Sequence, residues 1–105
     1  MSDRDDPAAD LADLRTDLSN LLVEAQAAAQ SPDVHPLLPA VVDWLAAMQR
    51  IFARGDPAPL ILRKESSGIY RFITSDPAFA HSAMGRQVLA LAAAMRAVAK
   101  AGLGQ

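Results

Sequence analysis

His35 and His81 are the only imidazoles in the chain, and with no cysteine present they bound most of the catalysis the sequence could support. Nucleophilic catalysis needs an activated oxygen beside a base that is itself oriented. His81 is followed directly by Ser82, an adjacency that makes no triad, and no serine sits in a glycine-flanked elbow. Asp33, His35 and His81 would share a metal only if two connecting segments met, and they lack a ligand spacing such as two histidines at i and i+4. Without cysteine there are no disulfides, thiolate nucleophiles, cysteine zinc sites or iron–sulfur clusters. Asp10, Asp13 and Asp17 place carboxylates at helical spacing, but a surface ridge lacks the desolvated cleft that general acid–base work requires. Ser66-Ser67-Gly68 reads as a turn, since no glycine-rich loop follows a strand and opens a helix. The expectation is a protein that is not an enzyme, with no cofactor and no metal site.

What remains is binding, and charge shows where. The formal net charge is −2, yet residues 1–30 carry −5 and residues 50–74 carry +3. The two regions could be each other's partners. An acidic total disfavours a protein that coats nucleic acid or an anionic membrane, while leaving room for a local basic patch. The opening residues, Met1-Ser2-Asp3-Arg4-Asp5-Asp6, are acidic where a secretory signal would be basic and then apolar, and the longest weakly polar run, Val88 to Met95, is far too short to span a bilayer. A cytoplasmic protein is expected.

The elements that position these groups can be read in order. Residues 1–6 are assigned to an acidic tail and 7–105 to a single domain. Asp6-Pro7 pairs an N-cap with proline at the first helical position and opens a helix over about 7–30. Leu11, Leu14, Leu18, Leu21, Ala25 and Ala28 form its apolar seam, beside the aspartate ridge. Three prolines between Ser31 and Pro39 interrupt it, and Pro36 or Pro39 opens a second helix over about 36–54. Its broad face of Leu37, Val41, Trp44, Leu45, Met48, Ile51 and Phe52 implies two neighbours, and Gly55 is placed as its C-terminal cap.

From Leu60 the composition turns β-rich. Leu60 to Glu65 and Ile69 to Thr74 flank Ser66-Ser67-Gly68, so a β-hairpin is predicted over about 60–74. A three-residue loop pairs Leu62 with Phe72, Ile61 with Ile73 and Arg63 with Arg71, putting Leu60, Leu62, Tyr70 and Phe72 on one face. Arg63 and Arg71 then oppose each other on the outer face, with Lys64, Ile61 and Ile73 nearby, and make a candidate partner-binding patch for something acidic. The unpaired hairpin edges suggest a second copy as one such partner.

Asp76-Pro77 repeats the cap-and-proline signal and begins a last helix over about 77–102, where Ser82 offers a fresh cap and Gly85 a weak point. Met84, Val88, Leu91, Met95 and Val98 form its core stripe, and Ala90, Ala93 and Ala97 are a candidate dimer flank. The predicted fold class is α+β: helix, helix, β-hairpin, helix, with a two-stranded antiparallel sheet on a three-helix layer.

That order of elements resembles the winged helix-turn-helix repressors, in order alone. The resemblance would make Arg50, Arg54, Arg63, Lys64 and Arg71 phosphate contacts, but the second helix lacks a polar recognition face. The favoured expectation is a small regulatory or accessory protein acting through protein contacts as a homodimer, with an unknown protein partner. Two alternatives stand beside it: a DNA-binding regulator using the basic hairpin, and a binder of a small apolar ligand near Trp44, Met48 and Met95.

Overall fold

The computed structural model describes residues 7–103, and every regular element among them is a helix, so the expected hairpin and two-stranded sheet are not there. The elements are α1 (Pro7–Ala28), α2 (Leu38–Ala53), α3 (Pro59–Thr74), α4 (Pro77–Ala80) and α5 (Ala83–Leu103). The acidic tail with its Asp6 cap, the side chain of Asp10, and Gly104 lie outside what is described.

Proline punctuates the fold. Pro39, Pro59 and Pro77 each stand in the first two positions of a helix, where a missing N–H leaves no hydrogen bond unmade. Ala58 is held extended (φ −64°, ψ 146°), as the residue before a proline tends to be, and the chain turns helical straight after it. Asp76 is also extended and its side chain accepts the Phe79 N–H at 3.1 Å, the N-cap expected of Asp76-Pro77. Gly55 follows α2 with φ +131°, a conformation strained for any other residue, and its N–H reaches the Phe52 carbonyl at 3.2 Å.

The correction at α3 has a physical cause. Leu62, Ser66, Ile69 and Ile73 recur at steps of four, three and four, and all four are buried. A period of 3.6 therefore runs through the stretch that β-branched residues and a Ser-Ser-Gly sequence had marked as two strands. β-Propensity is weak against a buried stripe that a neighbouring helix can cover. Arg63 and Arg71 are consequently not cross-strand neighbours; they lie eight residues apart on one helix, about 12 Å along its axis. Ile73, expected on an outer face, is fully buried, and Ile61 is 41% exposed.

The last helix is split. α4 ends at Ala80, the chain turns at His81 and Ser82, and the Ser82 hydroxyl accepts the Gly85 N–H at 3.0 Å to cap α5. Gly85 is buried because α5 starts almost in contact with α4: a Cβ built there would fall 1.8 Å from the Phe79 carbonyl oxygen. The residue read as a weak point is thus a close-approach site.

The four long helices form an antiparallel ring. Ser19 meets Gln49 and Arg15 meets Asp56 across α1 and α2; Trp44 meets Glu65 across α2 and α3; Pro59 lies by Gly102 across α3 and α5; Asp13 and Ala97 border one recess between α1 and α5. This is the up-and-down arrangement of a four-helix bundle, with α4 inserted in the last connection. Packing around the ring is uneven. α3 and α5 approach most closely, which the small buried residues Ser66, Ala92 and Ala99 allow. α2 and α3 keep their backbones apart, and Trp44 and Phe72 occupy the interval. The core between the helices is almost wholly aliphatic: Leu14, Leu18, Val41, Leu45, Met48, Val88 and Met95 are each no more than 2% exposed.

Candidate functional site

The polar groups able to do chemistry are engaged in holding the fold. His35 Nδ1 accepts the Leu37 N–H at 3.0 Å, which leaves Nε2 facing the Asp76 carboxylate at 3.4 Å, with the ring tilted against Phe79 at 4.9 Å. Asp76 therefore ties the α1–α2 connection to the start of α4 while capping it. His81 does not join this group; its Nδ1 contacts the Pro77 carbonyl of its own turn at 2.8 Å. The buried Ser66 hydroxyl donates to the Arg63 carbonyl one turn back at 3.0 Å, and the Ser82 hydroxyl donates to the Phe79 carbonyl. Among the described residues no cluster of three or more histidines and carboxylates is disposed to hold a metal. Asp33, His35 and His81 are not brought together.

Arg15 is a residue whose role the sequence did not disclose. It is the one described cation of the acidic α1, and its guanidinium reaches across to the end of α2. There it donates to the Phe52 carbonyl, pairs with Asp56 at 2.9 Å and lies over the Phe52 ring, 5.2 Å from its centre. The last carbonyls of a helix lack intrahelical donors, so a cation there answers both the orphan group and the helix dipole. The expected attraction between the acidic N-terminal region and the basic 50–74 region thus takes the opposite sign locally: an arginine from the former meets an aspartate from the latter.

The basic residues expected on a hairpin are solvent-facing on α3. Arg63, Lys64 and Arg71 are exposed, as are Arg50 and Arg54 near the end of α2. Large apolar groups are also exposed on α3: Leu60 is 65% exposed and Tyr70 47%, with Arg96 of α5 over the Tyr70 ring at 5.6 Å. With no strand among the described residues there is no wing to enter a groove of DNA.

The alanine flank separates into two roles. Ala92 and Ala99 are buried in the domain's own packing, whereas Ala90, Ala93 and Ala97 are exposed. Ala90 and Ala97 border a groove between α1 and α5. One part, of about 270 Å³, lies between Asp17, Glu24, Gln87 and Ala90; a second, of about 440 Å³, lies between Asp13, Asp17, Ala97 and Ala101. Both share Asp17 and Ala94, so the two recesses adjoin along the helices. Leu14, Leu21, Leu91 and Val98 form its floor. The α1 wall therefore carries the carboxylates, and the α5 wall is mostly methyl with Gln87 at one end. Among the described residues no cation pairs with Asp13, Asp17 or Glu24.

No family model, curated protein or solved structure matches the chain.

Proposed function

We propose that this protein is a non-enzymatic interaction module whose α1–α5 groove receives a basic amphipathic helix of a partner protein. The observation that carries the reading is the groove itself: an apolar floor, a wall of small side chains, and a rim of carboxylates with no cation against them among the described residues. Alanines let a helix backbone approach closely, and a helix laid in such a groove inserts apolar side chains at i, i+3, i+4 and i+7. Lysines or arginines flanking those anchors meet Asp13, Asp17 and Glu24. The charges steer and orient the partner, while the buried apolar area supplies most of the affinity.

The test uses an 18-residue helical peptide with leucines at i, i+4, i+7 and i+11 flanked by lysines, and the same peptide with glutamates in place of the lysines. Fluorescence anisotropy is expected to show saturable binding of the lysine form, weakened by 0.5 M salt, and none of the glutamate form. Asp13→Lys with Asp17→Lys reverses the preference. Equal binding of both peptides, or of neither, refutes the proposal.

A second copy of the chain is the other reading, and one observation favours it: the exposed side of α3 presents Leu60 with Lys64 and Arg71, flanked by Ile61 on one edge and by Arg63 and Tyr70 on the other, the chemistry that the groove complements. Dimerisation through hairpin edges is replaced by this route, in which groove and α3 face meet. Light scattering at micromolar concentration returning twice the monomer mass, and reverting to monomer with Arg63→Glu and Arg71→Glu, is the expected result for that reading; monomer mass alone removes it.

A further inference from the structure

The interval that α2 and α3 leave between their backbones holds a shallow cleft of about 210 Å³, lined by Ala40, Trp44, Glu65, Gly68, Ile69 and Phe72. Its composition is specific. Trp44 and Phe72 are both half-buried, and both line the cleft. The Trp44 indole N–H donates to Glu65 Oε1 at 3.1 Å, fixing the indole and leaving the second carboxylate oxygen outside that bond. No cation pairs with Glu65 among the described residues, although Lys64 adjoins it in sequence. Gly68 adds no side chain, and a Cβ there would meet nothing within 4 Å, so the cleft stays open beside the rings.

Aromatic faces carry the negative part of the ring quadrupole, and a half-desolvated carboxylate beside them adds a full charge. Neutral apolar groups gain nothing from the carboxylate, and anions are repelled by it. We propose that this cleft is a binding site for an alkylated ammonium group, seated against Trp44 and Phe72 with Glu65 as its counter-ion. The methyls of a quaternary ammonium lie on the rings and on Ile69, while its diffuse charge needs no directed hydrogen bond. A primary ammonium is held less well, because its stronger hydration has to be given up. The site is distinct from the α1–α5 groove, lying on the opposite side of the ring of helices and made by other residues.

Trp44 is the only tryptophan, so its emission reports on the cleft without labelling. Choline and free Nε-trimethyl-lysine share the group and differ in its carrier; 3,3-dimethylbutan-1-ol is the uncharged carbon counterpart of choline. Choline or trimethyl-lysine is expected to change the emission saturably with a Kd of about 1–10 mM, as suits a ligand of so few atoms. The neutral alcohol is expected to bind at least about fivefold more weakly. Whichever cation binds more tightly names the carrier. Glu65→Gln keeps an oxygen to accept the indole N–H and removes the charge; it is expected to weaken choline about five- to tenfold with unchanged circular dichroism. Phe72→Leu keeps an apolar wall without a π face and is expected to weaken it severalfold. Equal affinity for choline and the alcohol, choline binding unchanged in both variants, or no saturation by 50 mM with sodium chloride as control overturns the proposal.

Discussion

Gly68→Ala separates the two ways of folding residues 60–74 by the sign of its effect. In the structure Gly68 lies inside α3, exposed, without positive φ and with open space where a Cβ would stand. Replacing an exposed helix-interior glycine with alanine removes backbone entropy from the unfolded chain and gains about 0.8–1 kcal/mol. In a hairpin loop the same glycine would occupy the left-handed region, where alanine costs about 1–2 kcal/mol. Urea unfolding followed by far-ultraviolet circular dichroism reads the difference. With an m value of about 1–1.5 kcal/mol/M, the helical arrangement predicts a midpoint raised by roughly 0.6–1 M. A thermal scan should show a rise of about 4–8 °C. A lowered midpoint with unchanged m would refute the assignment of α3 and the packing built on it.

The other positions give sharper losses. Gly85→Ala must push α5 away from the Phe79 carbonyl, so it is expected to destabilise by about 3 kcal/mol in the same urea experiment. Arg15→Ala removes a donor from the Phe52 carbonyl and a cation from the Phe52 ring, and is expected to cost about 1–2 kcal/mol. Asp56→Ala removes only an exposed ion-pair partner and is expected to cost about 0.5 kcal/mol or less, so equal losses at the two positions would contradict the role given to Arg15. Asp76→Ala loses the α4 cap and the contact with His35, about 1–2 kcal/mol, whereas Asp76→Asn keeps an acceptor for the Phe79 N–H and should lose less than half of that.

The sequence made the helices legible where composition and period agreed. Leu14, Leu18 and Leu21 on α1, Val41, Leu45 and Met48 on α2, and Val88, Leu91 and Met95 on α5 are buried as their spacing implied. Asp76 and Ser82 cap as their types suggested. α3 is hidden in the sequence because isoleucines and aromatic residues around Ser66-Ser67-Gly68 look like strands locally, and because Ser66, a polar residue, occupies one of its buried positions. Treating Ser66 as a small core residue would have exposed the four-three-four spacing from Leu62 to Ile73, and Pro59 would then have matched Pro39 and Pro77 as a helix opener. The site residues divided in the same way. The aspartate ridge and the exposed alanines were visible separately, but their meeting across a groove depends on α1 and α5 being neighbours in the ring. The Trp44–Glu65 contact depends on α3 being helical and antiparallel to α2, so nothing in the local sequence announced it.

The role of the α1–α5 groove is tested most directly by methyl NMR of selectively labelled alanine and isoleucine residues during titration with the lysine-bearing helical peptide. The account predicts shift changes concentrated at Ala90, Ala94 and Ala97, with Ile61 and Ile73 of α3 unmoved. Changes centred on Ile61, or spread evenly over both sets of methyls, would contradict it.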